Sequence, residues 1–216
     1  MSTYSIIKNQ FQSFIQGLIF SDIYITLGAI GFAAVNFNLL QIDSSKHAIL
    51  LVVIGSATMF IYQFSRWTFF YNLQNTMTKD LLYYWMNDNK NFVKLLLLLS
   101  VVCGFVSMFF IRIETILTLF VLGVISVLYN ISIPLGNEKS FTFRRIPFAK
   151  ISMIATVWSS MAVLLPWIEV NGLVWNSLVL RLFLLQFLFI FIITLPFDIN
   201  DMVVDEIDGL KTIPIT

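Results

Sequence analysis

Long apolar runs alternate with short polar gaps along this chain, and the runs set its architecture. A helix that crosses a bilayer needs about 20 mainly apolar residues. Six runs of this kind extend roughly from Phe14 to Val35, Ala48 to Phe64, Phe92 to Phe110, Thr115 to Tyr129, Phe148 to Ile168 and Ser177 to Phe197. The fourth reaches full length only if it starts near Ile111. None shows the strict alternation of a barrel strand, and in lipid every backbone polar group needs an internal partner, so helices are predicted. The expected fold is all-α: a polytopic transmembrane bundle of about six helices, in a single domain over residues 1–216. A signal peptide fits the first run poorly. Only Lys8 flanks it, the run is long and Asp22 interrupts it, so a retained helix is predicted.

Composition agrees with the pattern. Hydrophobic residues make up 58% of the chain and charged residues 12%, about half the charged share of an ordinary soluble domain. A soluble globular enzyme and a disordered tail are excluded. A formal net charge of +1 gives no field for a nucleic acid partner. Single Cys103 and His47 residues rule out an internal disulfide framework and a multi-histidine metal centre. No serine has a histidine base nearby, and no Gly-rich phosphate loop occurs.

The basic residues are placed unevenly. Lys8, Arg66, Lys79, Lys90, Lys94, Lys139, Arg144, Arg145, Lys150 and Lys211 fall on one side of the predicted spans, against Lys46, Arg112 and Arg181 on the other. The positive-inside rule then predicts a cytoplasmic N-terminus and two long cytoplasmic connections, residues 65–91 and 130–147. Trp67, Trp85, Trp167 and Trp175 lie near predicted helix ends, as an aromatic belt requires, whereas Trp158 is mid-span and reads as packing.

The sharpest chemical feature follows the sixth run. Asp198, Asp201 and Asp205 are spaced i, i+3, i+7, which puts them within about 60° of one another on a helix. Asp208 extends that face and Glu206 points away. Stacked carboxylates repel, and a divalent cation relieves the repulsion. Mg²⁺ typically takes one or two carboxylates, waters and substrate phosphate oxygens, which suits a phosphorylated lipid-like substrate. A solvated acidic helix end capping a membrane span explains the spacing equally well. Gly209 suits a helix C-cap and Pro214 the start of another helix.

The pattern Asp198-x-x-Asp201-x-x-x-Asp205-x-x-x-Gly209-x-x-Thr212-x-Pro214 resembles the second aspartate-rich motif of the UbiA superfamily of intramembrane prenyltransferases. Leu128-Tyr129 at the end of the fourth run, and Arg144-Arg145-Ile146-Pro147-Phe148-Ala149-Lys150 before the fifth, are similar to that family's upstream pattern and basic loop. The resemblance implies an integral membrane enzyme with its site on the cytoplasmic face. Such an enzyme transfers an isoprenyl group from an isoprenyl diphosphate to a membrane-soluble acceptor with the help of Mg²⁺. It implies Asp198, Asp201 and Asp205 as metal ligands. Arg144, Arg145, Lys150 and Lys211 would neutralise the diphosphate, and Tyr129 would donate a hydrogen bond to it.

Two departures stand against the family pattern. The first aspartate motif, expected at the cytoplasmic end of the second helix, reads Asn72, Asn75 and Lys79 in the best register, and a shifted register recovers only Asp80. Amides are weak ligands for a hard cation, and Lys79 brings a positive charge in place of a carboxylate. The family also has about nine helices, so the resemblance implies a chain lacking the last of them, a fragment or a shortened member. A non-catalytic lipid-binding or structural protein on the same scaffold is the alternative. A small transporter is a third reading, resting on Asp22, and the runs show no broken midplane segment of the kind many transporters have.

Lesser features complete the reading. Asp22 is the acid well inside a run, a proton carrier or a polar packing contact with Ser56, Thr58 or Gln63. Gln186 invites the same reading. Gly17, Gly28 and Gly31 in the first run, and Gly55, Ser56 and Ala57 in the second, predict close helix approach. Cys103 reads as a small apolar residue.

Overall fold

A computed structural model describes residues 13–43, 45–73, 81–130, 133–134, 140–141 and 149–200, with the backbone alone at 69, 71–73, 128–130, 133–134, 140–141, 149 and 197–200. The described chain is helical apart from one short ladder. Four helices are long and apolar enough to cross a membrane: Ala48–Thr68, Lys90–Met108, Lys150–Asn171 and Ser177–Pro196. A bent pair, α1 (Ser13–Phe20) and α2 (Ile23–Leu39), passes the same test jointly. These helices support a multi-pass membrane protein. The fourth apolar run becomes a helix whose apolar stretch is shorter, Ile113–Val127, which rises about 22 Å against a hydrocarbon core of about 30 Å.

The chain divides into two compact units, residues 1–31 with 49–110, and residues 32–48 with 111–216. The first holds α1, the first half of α2, and then α3 (Ala48–Leu73), α4 (Leu81–Asp88) and α5 (Lys90–Met108). Its helices meet at small residues. A Cβ added at Gly55 would lie 2.7 Å from Cδ1 of Ile30, so glycine lets α3 approach α2 there, and one at Gly104 would sit 3.5 Å from Cβ of Ser56. Gly17, Gly28 and Gly31 have nothing within 4 Å of an added Cβ, so the expected close approach holds at Gly55 and not at those three. Mid-helix hydroxyls bond back to their own helix, Thr58 Oγ1 to the Ile54 carbonyl at 2.8 Å and Ser100 Oγ to the Leu97 carbonyl at 2.7 Å. This lets apolar helices carry hydroxyls without orphaned donors.

The second unit holds the rest of α2, then α6 (Ile113–Asn130), β1 (Ile133–Pro134), β2 (Ser140–Phe141), α7 (Ala149–Ser159), α8 (Leu165–Asn171) and α9 (Ser177–Asn200). The strands pair antiparallel, Ile133 opposite Phe141 and Pro134 opposite Ser140. Between α7 and α8 the chain makes a wider π turn over Ser160–Leu164, where the Leu165 N–H donates to the Ser160 carbonyl. Pro166 follows, with no N–H to give and a ring that would press on the carbonyl four residues back. The wider turn makes room for it. The helix N-terminus of α6 is closed by Glu169, whose Oε2 accepts from Thr115 Oγ1 at 2.7 Å and from the Arg112 N–H at 3.1 Å. Phe32 has its ring centroid 6.3 Å from Phe189 and 6.5 Å from Trp158, the packing role expected of Trp158.

Three details of the sequence reading change. The first run is not one straight helix, because Ser21 and Asp22 break it with a 63° bend. Asn36, placed by pattern at the start of a connection, is fully buried inside α2. Arg66, counted as part of a polar connection, lies inside α3.

Candidate functional site

The last helix positions the acidic motif. α9 runs through Pro196 to Asn200, so the backbone carries Asp198 in its final turn, directly beyond the apolar stretch Ser177–Pro196. The turn at Gly172–Asn176 makes α9 return antiparallel to α7 and α8, and α7 packs along α9. The end of α9 with Asp198, the start of α7 with Lys150 and the end of α6 with Tyr129 therefore share one end of the second unit. Lys150 is half-buried there. Asn72 stands in the last turn of α3, in the other unit. Asp201, Asp205, Arg144, Arg145, Lys211, Asn75, Lys79 and Asp80 lie outside the described residues. Among the described residues no three His, Cys, Asp or Glu side chains come together.

A second polar constellation lies at the break between α1 and α2. Asp22 has φ 58°, the left-handed region that Asp and Asn enter more readily than most residues. The Ser21 N–H still donates to the Gly17 carbonyl at 3.0 Å and the Asp22 N–H to the Ile19 carbonyl at 3.4 Å, while a side chain from α3 serves the Ser21 carbonyl. Gln63 Nε2 donates to the Ser21 carbonyl. Arg66 embraces the Asp22 carboxylate with both arms of its guanidinium, Nε to Oδ2 at 2.7 Å and Nη2 to Oδ1. Asp22 is 1% exposed, so each charge depends on the other. The Asp22 carbonyl accepts from the Thr26 N–H at 3.1 Å and from Thr26 Oγ1 at 3.0 Å, which starts α2. A buried charge pair of this quality is neutral overall, and losing one member strands the other.

The sequence named Asp22 and Gln63 but missed Arg66. A signal existed. Asp22 lies in the first half of one apolar run and Arg66 just past the far end of the next, the two runs are joined by a short connection, and such runs pair antiparallel. Opposite charges toward the same open end of a helical hairpin are expected to find each other, since an unpaired one in the apolar layer is costly.

The polar contact between α2 and α9 in the second unit is neutral instead. Gln186 Nε2 on α9 donates to Asn36 Oδ1 at 3.0 Å, and Asn36 Nδ2 donates to the Phe32 carbonyl at 2.8 Å. Gln186 is therefore a packing contact, one of the two roles open to it.

No family model matches the chain, and no curated protein or solved structure matches it either.

Proposed function

We propose that this protein is a UbiA-like intramembrane prenyltransferase that takes an isoprenyl group from a prenyl diphosphate and passes it to a membrane-soluble acceptor. The observation that carries the reading is the Asp198, Asp201, Asp205 spacing in the sequence, with Asp198 in the last turn of the apolar helix α9. Three carboxylates at the sequence spacing i, i+3, i+7 would make a donor set suited to Mg²⁺, which prefers hard oxygen ligands and substrate phosphates. Asp198, Asp201 and Asp205 would hold the ion, and when bound it supplies neutralisation of the departing diphosphate. The chain's own cations do the rest. Arg144, Arg145, Lys150 and Lys211 offset the diphosphate charge, and the Tyr129 hydroxyl donates to one of its oxygens. The apolar helices give a prenyl chain an environment as apolar as lipid. The cytoplasmic side suits the site because the basic residues concentrate there by sequence.

Release of inorganic diphosphate from a prenyl diphosphate by the purified chain tests the reading. It should require Mg²⁺, stop with EDTA, and fall by about a hundredfold or more in Asp201→Asn and Asp205→Asn, as expected when groups that stabilise transition-state charge are removed. Release that ignores EDTA and both substitutions sinks the proposal. The Asn72, Asn75, Lys79 pattern favours a second reading, a non-catalytic member that keeps the ligand. Mg²⁺-dependent binding with no release selects it.

A further inference from the structure

α4 and the start of α5 form an aromatic and cationic edge that the proposed activity does not use. Met86 of α4 and Val93 of α5 are buried against Phe70 of α3, with Trp67, Leu82, Tyr83 and Trp85 packed around them. This anchors a short helix whose other side exposes Leu81 and Tyr84. Lys90 Nζ sits 5.6 Å from the Phe70 ring centroid and Lys94 Nζ 5.8 Å from that of Trp67. The two lysines are four residues apart, hence neighbours on one face of α5, and like charges so placed repel. Among the described residues neither is in an ion pair.

The position of this edge points to what covers it. The apolar span of α3 ends at Thr68 and that of α5 begins at Lys90, so the edge lies where hydrocarbon gives way to headgroups. Tyr and Trp favour that level, and lysines there face lipid phosphates. We propose that Lys90 and Lys94 together bind the phosphate of an anionic phospholipid headgroup, while Leu81 and Tyr84 of α4 dip into the boundary beside it. The aromatic rings hold the two ammonium groups in place by cation–π attraction, and the lipid phosphate relieves their mutual repulsion.

The test uses the full chain in nanodiscs of phosphatidylcholine containing a minor share of phosphatidylglycerol, released into native mass spectrometry to count retained lipids. Preferential retention of phosphatidylglycerol is expected, falling by about fivefold or more in Lys90→Gln/Lys94→Gln. Leu81→Ser/Tyr84→Ser should weaken retention while leaving the lysines in place. Equal retention of the two lipids, or retention unchanged in the lysine double variant, overturns the proposal. So does displacement of the lipid by soluble inorganic diphosphate at equal concentration, which would make the lysines a general phosphate site. Circular dichroism of each variant keeps loss of fold apart from loss of lipid.

Discussion

Two traverses of this chain are interrupted, and they solve the same problem by different means. At Ser21–Asp22 the helix breaks, the direction changes by 63° and one residue turns left-handed. The Ser21 carbonyl at that break is served by Gln63 from α3, with the Asp22–Arg66 charge pair beside it. At Ser160–Leu164 the helix only widens, and its backbone goes on bonding to itself. The first interruption needs Arg66, Asp22 and Gln63, while the second needs only room for Pro166. An apolar medium tolerates a kink that keeps its hydrogen bonds, whereas a true break requires imported polar groups. The break is therefore the more vulnerable of the two.

The largest effect is expected at that break. Arg66→Ala strands the Asp22 carboxylate and should cost about 3–5 kcal/mol in reversible unfolding from detergent. The double variant Asp22→Asn/Arg66→Met should recover most of this, since Asn keeps the left-handed backbone accessible and no charge remains. A double variant as unstable as Arg66→Ala would show that packing, not charge, holds the break. At the neutral contact of the second unit, Gln186→Leu removes the bond to Asn36 and should cost only about 0.6 kcal/mol, at most about 1.7, typical of hydrogen bonds between membrane helices. A larger loss would erase the contrast between the two units. Pro166→Ala should be milder still, within about 0.5 kcal/mol of the parent, because the wide turn has already relieved the ring. Thermal unfolding read by circular dichroism measures it.

The smallest expected effect lies outside the spans. Asp43, in the connection before α3, accepts from the Ser45 hydroxyl at 2.6 Å and from the Ser45 N–H at 3.0 Å. These bonds, with a lesser contribution from Lys46, hold its carboxyl below the ordinary 3.8. A lowered pKa in the folded state adds stability above that ordinary value, and it is lost as pH falls through the folded pKa. The midpoint of thermal unfolding should therefore dip slightly further in the parent than in Asp43→Asn on going from pH about 5 to about 3. Identical pH profiles would show that the turn contributes nothing.

Much of the fold was legible because lipid leaves few choices. Each apolar run had to be helical, and each described run is. What pattern alone hid were the places where a helix departs from regularity. Asp22 read as a lone intramembrane acid because its partner Arg66 stands two residues past the apolar stretch, and periodicity assigns such a residue to a loop. The helix continues through it because α3 gains more from backbone bonding than the loop would from solvation. Asn36 was hidden in the same way, a polar residue at the end of a run that is kept inside by Gln186. Of the acidic motif, α9 carries Asp198 as the spacing suggests, and Asp201 and Asp205 lie beyond the described residues. Its chemistry rests on the residue types themselves.

The most direct test of the proposed function is a calorimetric titration of a prenyl diphosphate into the purified full chain. Saturable binding in Mg²⁺ that disappears in EDTA, and that weakens in both Asp201→Asn and Asp205→Asn, is the predicted result. Binding that is absent, or that survives EDTA and both substitutions unchanged, would contradict it.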